Sequence, residues 1–250
     1  MTKQLPRVLN YHGSKYSMTP WILAHMPPHD CFVDAFGGSG SLFTAKKPVL
    51  FEVYNDKGQD ISNFFRVLRE QPEELARVVA CTPWSREEFN ASFELAGTSL
   101  EQARRLLVRS WQSRGTPPLI TSEGQWKSGW RYQRSRGEKA DGTPSRGGVF
   151  VDQWSRIPDA ILVFADRMKH VQLEQDDAVA VIKRFDDPQA LIYADPPYLP
   201  ETRSRWRGHA YEVEMDEADH VRLADVMNEL NGYGIVSGYA SELYRDLYEG

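Results

Sequence analysis

The sequence predicts a parallel α/β domain with a loop-rich insertion, and three observations predict it. Short apolar runs alternate with helical patterns over residues 1–70. Residues 111–148 break that pattern with a stretch rich in Gly, Ser, Arg and Trp that has no sustained period. The alternation then resumes and continues to residue 250. At 250 residues and 41% hydrophobic content the chain can bury one substantial core.

Taken in order, "CFVDAF" and "PVLFEVY" read as buried strands and "ISNFFRVLRE" as a helix. Residues 72–110 read as helical, with Ser99 and Gln102 spaced as a capping box ahead of "ARRLLVRSW". After the insertion come a helix near 158–169, a strand in "HVQLEQ", a short helix near 178–185 and a strand ending at Asp195. Asp216 is placed as the N-cap of a helix through Leu230. Gly232 is its stop, and "YGIVSGY" reads as a further strand. The expected organisation is a core in two parts, 1–70 and 151–250, around an insertion at 71–150.

Composition limits the function classes. Net charge is -5, so an anionic partner must meet a local basic patch. The two cysteines, Cys31 and Cys81, lack zinc-site or disulfide-framework spacing, which fits a reducing, cytoplasmic setting. No apolar run reaches the roughly 18 residues that a bilayer span needs. A soluble intracellular protein is expected.

Three stretches carry chemistry. In "DAFGGSG", Asp34 to Gly40, glycines at the end of a strand let the backbone turn and approach a ligand; a plain glycine turn has the same appearance. No Lys-Ser or Lys-Thr follows, against a P-loop, and Asp34 would repel a pyrophosphate. A ligand with a cationic centre and no phosphate suits that acid better. In "FEVYNDKGQD", Asp56 lies just beyond the next strand, where ribose hydroxyls are held in such folds, although an ordinary N-cap is the alternative. Asp60 reads as a solvated first-turn helix residue. In "LIYADPPY", a buried strand stops at Asp195, and Pro196 and Pro197 make a stiff, extended corner before Tyr198.

Together, "YHGSKY" at 11–16, "DAFGGSG" at 34–40, "YND" at 54–56 and "DPPY" at 195–198 resemble the Dam-like DNA adenine N6-methyltransferases, including phage-encoded members. The resemblance covers nearly the whole chain and is weakest over 84–150. It implies a Rossmann-like, S-adenosylmethionine-dependent methyltransferase fold with an inserted target-recognition subdomain, working on double-stranded DNA in the cytoplasm of a bacterium or phage-infected host, with no metal. Carried over, Tyr11 and Lys15 resemble the motif that closes over the methionine end of S-adenosylmethionine. Asp34, Phe36, Gly38 and Gly40 resemble its cofactor loop, and Asp56 its ribose-binding acid. Asp177 matches the acid beside the cofactor's adenine, with Asp176 adjacent.

The resemblance gives the proline corner a chemistry. An adenine exocyclic amine is a poor nucleophile because its lone pair is delocalised into the ring. Accepting hydrogen bonds from both N–H groups frees that lone pair. Asp195 can accept one and the Pro196 carbonyl the other, while Tyr198 offers a face to the base once it has left the duplex. Methylation of cytosine N4, of an RNA amine, or a catalytically silent DNA-binding relative are the alternatives.

From Arg104 to Arg146 ten basic residues face three acids, a local charge of +7 that leaves -12 for the rest of the chain. Trp111, Trp126, Trp130 and Tyr132 interleave these charges as wedges, stacking planes or packing. DNA contacts are therefore expected from Arg114, Lys127, Arg131, Arg134 and Arg136, extended by Arg203, Arg205 and Arg207 beyond the corner. The family carries a strand hairpin after the position matching 233–237, whereas this sequence runs on only to "LYRDLYEG". An exposed sheet edge is expected there.

Overall fold

A computed structural model describes residues 4–11, 13–94, 97–114, 129–132, 149–202 and 211–248. Strands β1 (Cys31–Asp34), β2 (Phe51–Asn55), β3 (Gln172–Glu174), β4 (Ala190–Ala194) and β5 (Tyr233–Val236) form one parallel sheet in the order β3-β2-β1-β4-β5. The chain runs outward from β1 through β2 to β3, then returns to the other side of β1 for β4 and β5. The order thus reverses between β1 and β4. In open α/β sheets, ligands bind beyond the carboxyl ends of the strands at such a reversal.

Ten α-helices are described: α1 (Thr19–Ala24), α2 (Gln59–Glu70), α3 (Pro72–Ala80), α4 (Arg86–Ala91), α5 (Ser99–Gln112), α6 (Val149–Trp154), α7 (Ile157–Met168), α8 (Ala178–Phe185), α9 (Glu217–Asn228) and α10 (Glu242–Tyr248). Successive strand residues point to opposite faces, and the two cores follow that alternation. Phe32, Tyr54, Leu191 and Tyr193 face a core built with α2, α3, α5 and α7. Val33, Val53 and Ile192 face a second core built with α8 and α9. Both faces of the central strands are therefore apolar, which is why they read as continuous hydrophobic runs.

Several boundaries shift from those expected. The second strand begins at Phe51, the third is confined to Gln172–Glu174, and α9 ends at Asn228. Helix α5 starts one register earlier, with the Thr98 hydroxyl accepting the Glu101 amide at 3.2 Å, so Thr98 and not Ser99 is the cap. Asp216 does cap α9, in a reciprocal pair with Asp219. Strand β5 is an edge of the sheet, and no antiparallel strand follows it among the described residues. No helix among the described residues is long and apolar enough to cross a membrane, and both cysteines are free.

Candidate active site

The register fixes where the chemistry gathers. Asp34 is the last residue of β1 and lies opposite Tyr193 of β4, so Asp195 follows at the same end of the sheet. Asp56 follows β2 directly. One cleft at these strand ends is lined by Tyr11, Lys15, Asp34, Phe36, Gly38, Asp56 and Asp177, and also by Asp195 and Pro197. Gly40 is the one expected cofactor residue that does not line it. It turns the loop instead, with φ +64° and the rings of Phe164 and Phe65 packed where a Cβ would stand.

Side-chain hydrogen bonds hold the glycine loop in shape. The Asp56 carboxylate accepts the Gly38 amide at 2.9 Å and the Gly58 amide at 2.8 Å, and the Tyr54 hydroxyl donates to the Gly38 carbonyl at 2.7 Å. Gly38 has φ +49°, a left-handed conformation, and faces the Tyr11 ring. Asn55 donates to the carbonyls of Ala35 and Asp176 and accepts the Asp176 amide, clamping two loops together. The hydroxyls of Ser14, Ser39 and Ser41 bond one another at 2.7–3.0 Å and tie the N-terminal segment to this loop. Asn55 stood in the "YND" motif, Ser14 in "YHGSKY" and Ser39 in "DAFGGSG", whereas Ser41 lay just outside them.

The acids here are poorly neutralised. Asp34 is 2% exposed, and one of its carboxylate oxygens has no hydrogen-bond partner. Burial, then the nearby Asp195 and Asp56, push its carboxyl well above the usual carboxylate range, against the Phe36 amide and Lys15. Burial also raises Asp56, and the two loop amides offset this in part. Glu212, which the sequence did not mark as a site residue, accepts the Gln59 amide at 2.9 Å through one oxygen, while its other oxygen is buried without a partner. Burial raises its carboxyl as well.

At the proline corner both oxygens of Asp195 are engaged. Lys15 forms an ion pair with one, and the Tyr198 hydroxyl donates to the other at 3.0 Å. Burial raises the Asp195 carboxyl, and Lys15 opposes that shift. The Lys15 ammonium also lies 5.1 Å from the Tyr198 ring centroid. Lys15 thus belongs to the corner as much as to the cleft. Asp177 pairs with Arg222 at 3.3 Å and Lys57 at 3.8 Å, while Asp176 pairs with Arg184 at 2.9 Å and accepts the Asp177 amide.

The basic segment divides. Arg104 pairs with Glu88 and Glu101, Arg105 pairs with Glu101, and Arg109 is buried against Asp60 at 2.8 Å. Hydrogen bonds from Arg104 and then Arg105 hold Glu101 down at about 2. Asp60 is therefore an ion-pair partner and not a merely solvated acid, and these three arginines are structural. Trp111 is core, its indole N–H donating to the Val8 carbonyl at 2.7 Å. Arg114 and Arg131 lie at the root of the insertion, where Ser113 bridges Trp130. Arg114 sits 5.2 Å from the Tyr132 centroid and Arg131 4.7 Å from that of Phe150. Lys127, Arg134, Arg136, Arg203, Arg205 and Arg207, with Trp126, lie outside the described residues.

Comparison with known proteins gives the chain a family. Residues 11–112 and 135–250 match the model of a family described as D12 class N6 adenine-specific DNA methyltransferase. The chain is 24% identical to the DNA adenine methylase of Serratia marcescens, over 96% of its own length and 86% of the relative's. It is 24% identical to the type II methyltransferase M1.LlaDCHI of Lactococcus lactis subsp. cremoris, over 94% and 82%. It is 25% identical to the modification methylase LlaI of Lactococcus lactis subsp. lactis, over 90% of this chain and 35% of that one.

Proposed function

The chain belongs to the D12 class N6 adenine-specific DNA methyltransferases, and from that membership we propose which of its residues bind the methyl donor, position the base and react. The enzyme methylates adenine in DNA. No observation favours cytosine N4, an RNA amine or a silent scaffold over that activity.

The methyl donor is S-adenosylmethionine in this reading. The observation that carries it is the cleft's surplus of buried carboxylate, above all the unpartnered oxygen of Asp34. A ligand with cationic centres and no phosphate satisfies that oxygen; a dinucleotide would add charge of the wrong sign. Tyr11, Lys15, Asp34, Phe36, Gly38 and Gly40 hold the methionine end and the loop around it, Asp56 takes the ribose hydroxyls, and Asp177 stands at the adenine. Bound there, S-adenosylmethionine supplies a methyl group on an electrophilic sulfonium.

The protein's own part is positioning and hydrogen bonding. Asp195 accepts one N–H of the target amine and the rigidly aimed Pro196 carbonyl accepts the other. The nitrogen lone pair is then directed outward instead of into the ring. Pro197 fixes the corner, and Tyr198 stacks on the extruded base. Lys15 keeps Asp195 ionised against its burial, and each carboxylate oxygen, holding one present contact, retains a lone pair for the incoming amine. Arg114 and Arg131, with Lys127, Arg134, Arg136, Arg203, Arg205 and Arg207, contact double-stranded DNA, and segment 71–150 serves target recognition between core parts 1–70 and 151–250.

Calorimetric titration with S-adenosylmethionine tests this reading of the cleft. Wild type should bind one equivalent, and Asp56→Ala should weaken binding by about 1–3 kcal/mol, the usual loss for hydrogen bonds to a charged group. Unaltered affinity in Asp56→Ala would remove the cofactor from this cleft.

A further inference from the structure

We propose that Tyr239 is a second aromatic wall of the pocket that receives the extruded adenine. The inference rests on the reading of Tyr198 as the first. Tyr239 belongs to none of the motifs that carry the family resemblance, and it reaches the corner from the opposite side of β4.

Its position follows from the sheet. Ala194 and Val236 are in register, so the chain leaves β5 beside the residue that leads into Asp195. The next residue is anchored twice: the Ser237 amide donates to the Ala194 carbonyl at 2.8 Å, and its hydroxyl bonds that of Tyr193 at 2.9 Å. Gly238 then passes under α10. A Cβ there would lie 2.0 Å from the Tyr244 ring, so only glycine lets that helix close on the loop. The Tyr244 hydroxyl is tied in turn to the Nδ1 of His220 at 3.1 Å.

The residue projected by this anchored loop is Tyr239. Its ring centroid lies 4.9 Å from that of Tyr198, at an interplanar angle of 68°. The ring is 57% exposed, and its hydroxyl makes no hydrogen bond among the described residues. Neither burial nor hydrogen bonding therefore explains why a tyrosine is held there. A planar base that settles on Tyr198 comes within reach of the Tyr239 π-surface. Aromatic pairs at this spacing favour the edge-to-face or offset arrangements that a base can join. Base–aromatic stacking also tolerates any base, so this wall adds capture without reading sequence.

The test first maps the methylated adenine by sequencing, then prepares a duplex with that adenine and a second duplex that is abasic at the same position. The ratio of the two affinities isolates contacts to the extruded base. Tyr239→Ala should lower that ratio about 5- to 30-fold, within the range of one stacking contact. It should raise KM for DNA more than it lowers kcat, and leave thermal unfolding and abasic binding unchanged. Tyr239→Phe should restore the ratio, whereas Tyr239→Leu should not. If Tyr198→Ala lowers the ratio and Tyr239→Ala leaves it at the wild-type value, Tyr239 is no wall and the inference is overturned. It is overturned equally if Tyr239→Phe is as weak as Tyr239→Ala, since the hydroxyl would then be the acting group. If Tyr198→Ala has no effect, the underlying reading of the proline corner fails first.

Discussion

Two clusters of buried charge lie toward opposite ends of the same central strands, and they are built on opposite principles. At the start of β2, Glu52 has a side chain only 2% exposed and accepts from Lys46 at 3.2 Å and from Arg167 at 2.8 and 2.9 Å. Lys46 and Arg167 also lie over the rings of Phe32 and Phe43. Every charge there has a partner within the fold. At the carboxyl ends of the strands Asp34 is just as buried, yet Asp34, Asp56 and Glu212 make no ion pair among the described residues. Of these four acids only Asp195 has a cation among the described residues, Lys15, while the more exposed Asp177 pairs with Arg222 and Lys57. Asp34 and Glu52 are equally buried, so burial does not mark the site. The mark is negative charge that the fold leaves for something else to neutralise.

Removing a charge should therefore have opposite consequences at the two ends. The larger effect is expected from Glu52→Gln, which leaves Lys46 and Arg167 buried without their shared acid. Stability should fall by roughly 3–5 kcal/mol, read from the urea midpoint, with methyl transfer per folded molecule retained. An unchanged midpoint would erase the contrast. Asp34→Asn should do the reverse and raise stability near neutral pH by on the order of 1–3 kcal/mol, the cost of a buried group left unsatisfied, while abolishing cofactor binding. The sign follows from the direction of the shift. The folded state raises the Asp34 carboxyl, so its contribution to stability is present below the ordinary carboxylate range and is lost as pH rises through the raised value. Asparagine has no such loss, and its advantage should widen with rising pH. Unfolding temperatures of both proteins across the acid-to-neutral range check this, and an advantage that shrinks upward would mean that Asp34 is already neutralised.

The sequence carried the parts of this molecule that depend on neighbours along the chain. Continuous apolar runs marked β1, β2 and β4 because both faces of these strands are covered. The acids just past their ends marked the cleft because a parallel sheet brings all such ends together. The cap of α5 was legible only to within a residue, since Thr98 and Ser99 each have an acid or amide three positions on, and local pattern cannot choose between overlapping registers. Pairings through space left no trace. Arg109 meets Asp60 across 49 positions, which takes one of the ten cations of the basic segment into the fold, and Lys15 meets Asp195 across 180. Glu212 and Tyr239 were not read as site residues because no motif surrounds them. Tyr239 closed the stretch read as a strand, which ends at Val236, and the return of the chain over α2 and out of β5 brings both to the strand ends.

The central claim is that Asp195 directs methyl transfer to the adenine amine. It is tested most directly by incubating wild type and Asp195→Ala with isotopically labelled S-adenosylmethionine and plasmid DNA, then sequencing the modified positions. Wild type should place label on adenine N6 at a defined sequence, and Asp195→Ala should place none while binding the same DNA with nearly unchanged affinity. Label on cytosine, or transfer by Asp195→Ala at the wild-type rate, would contradict the account.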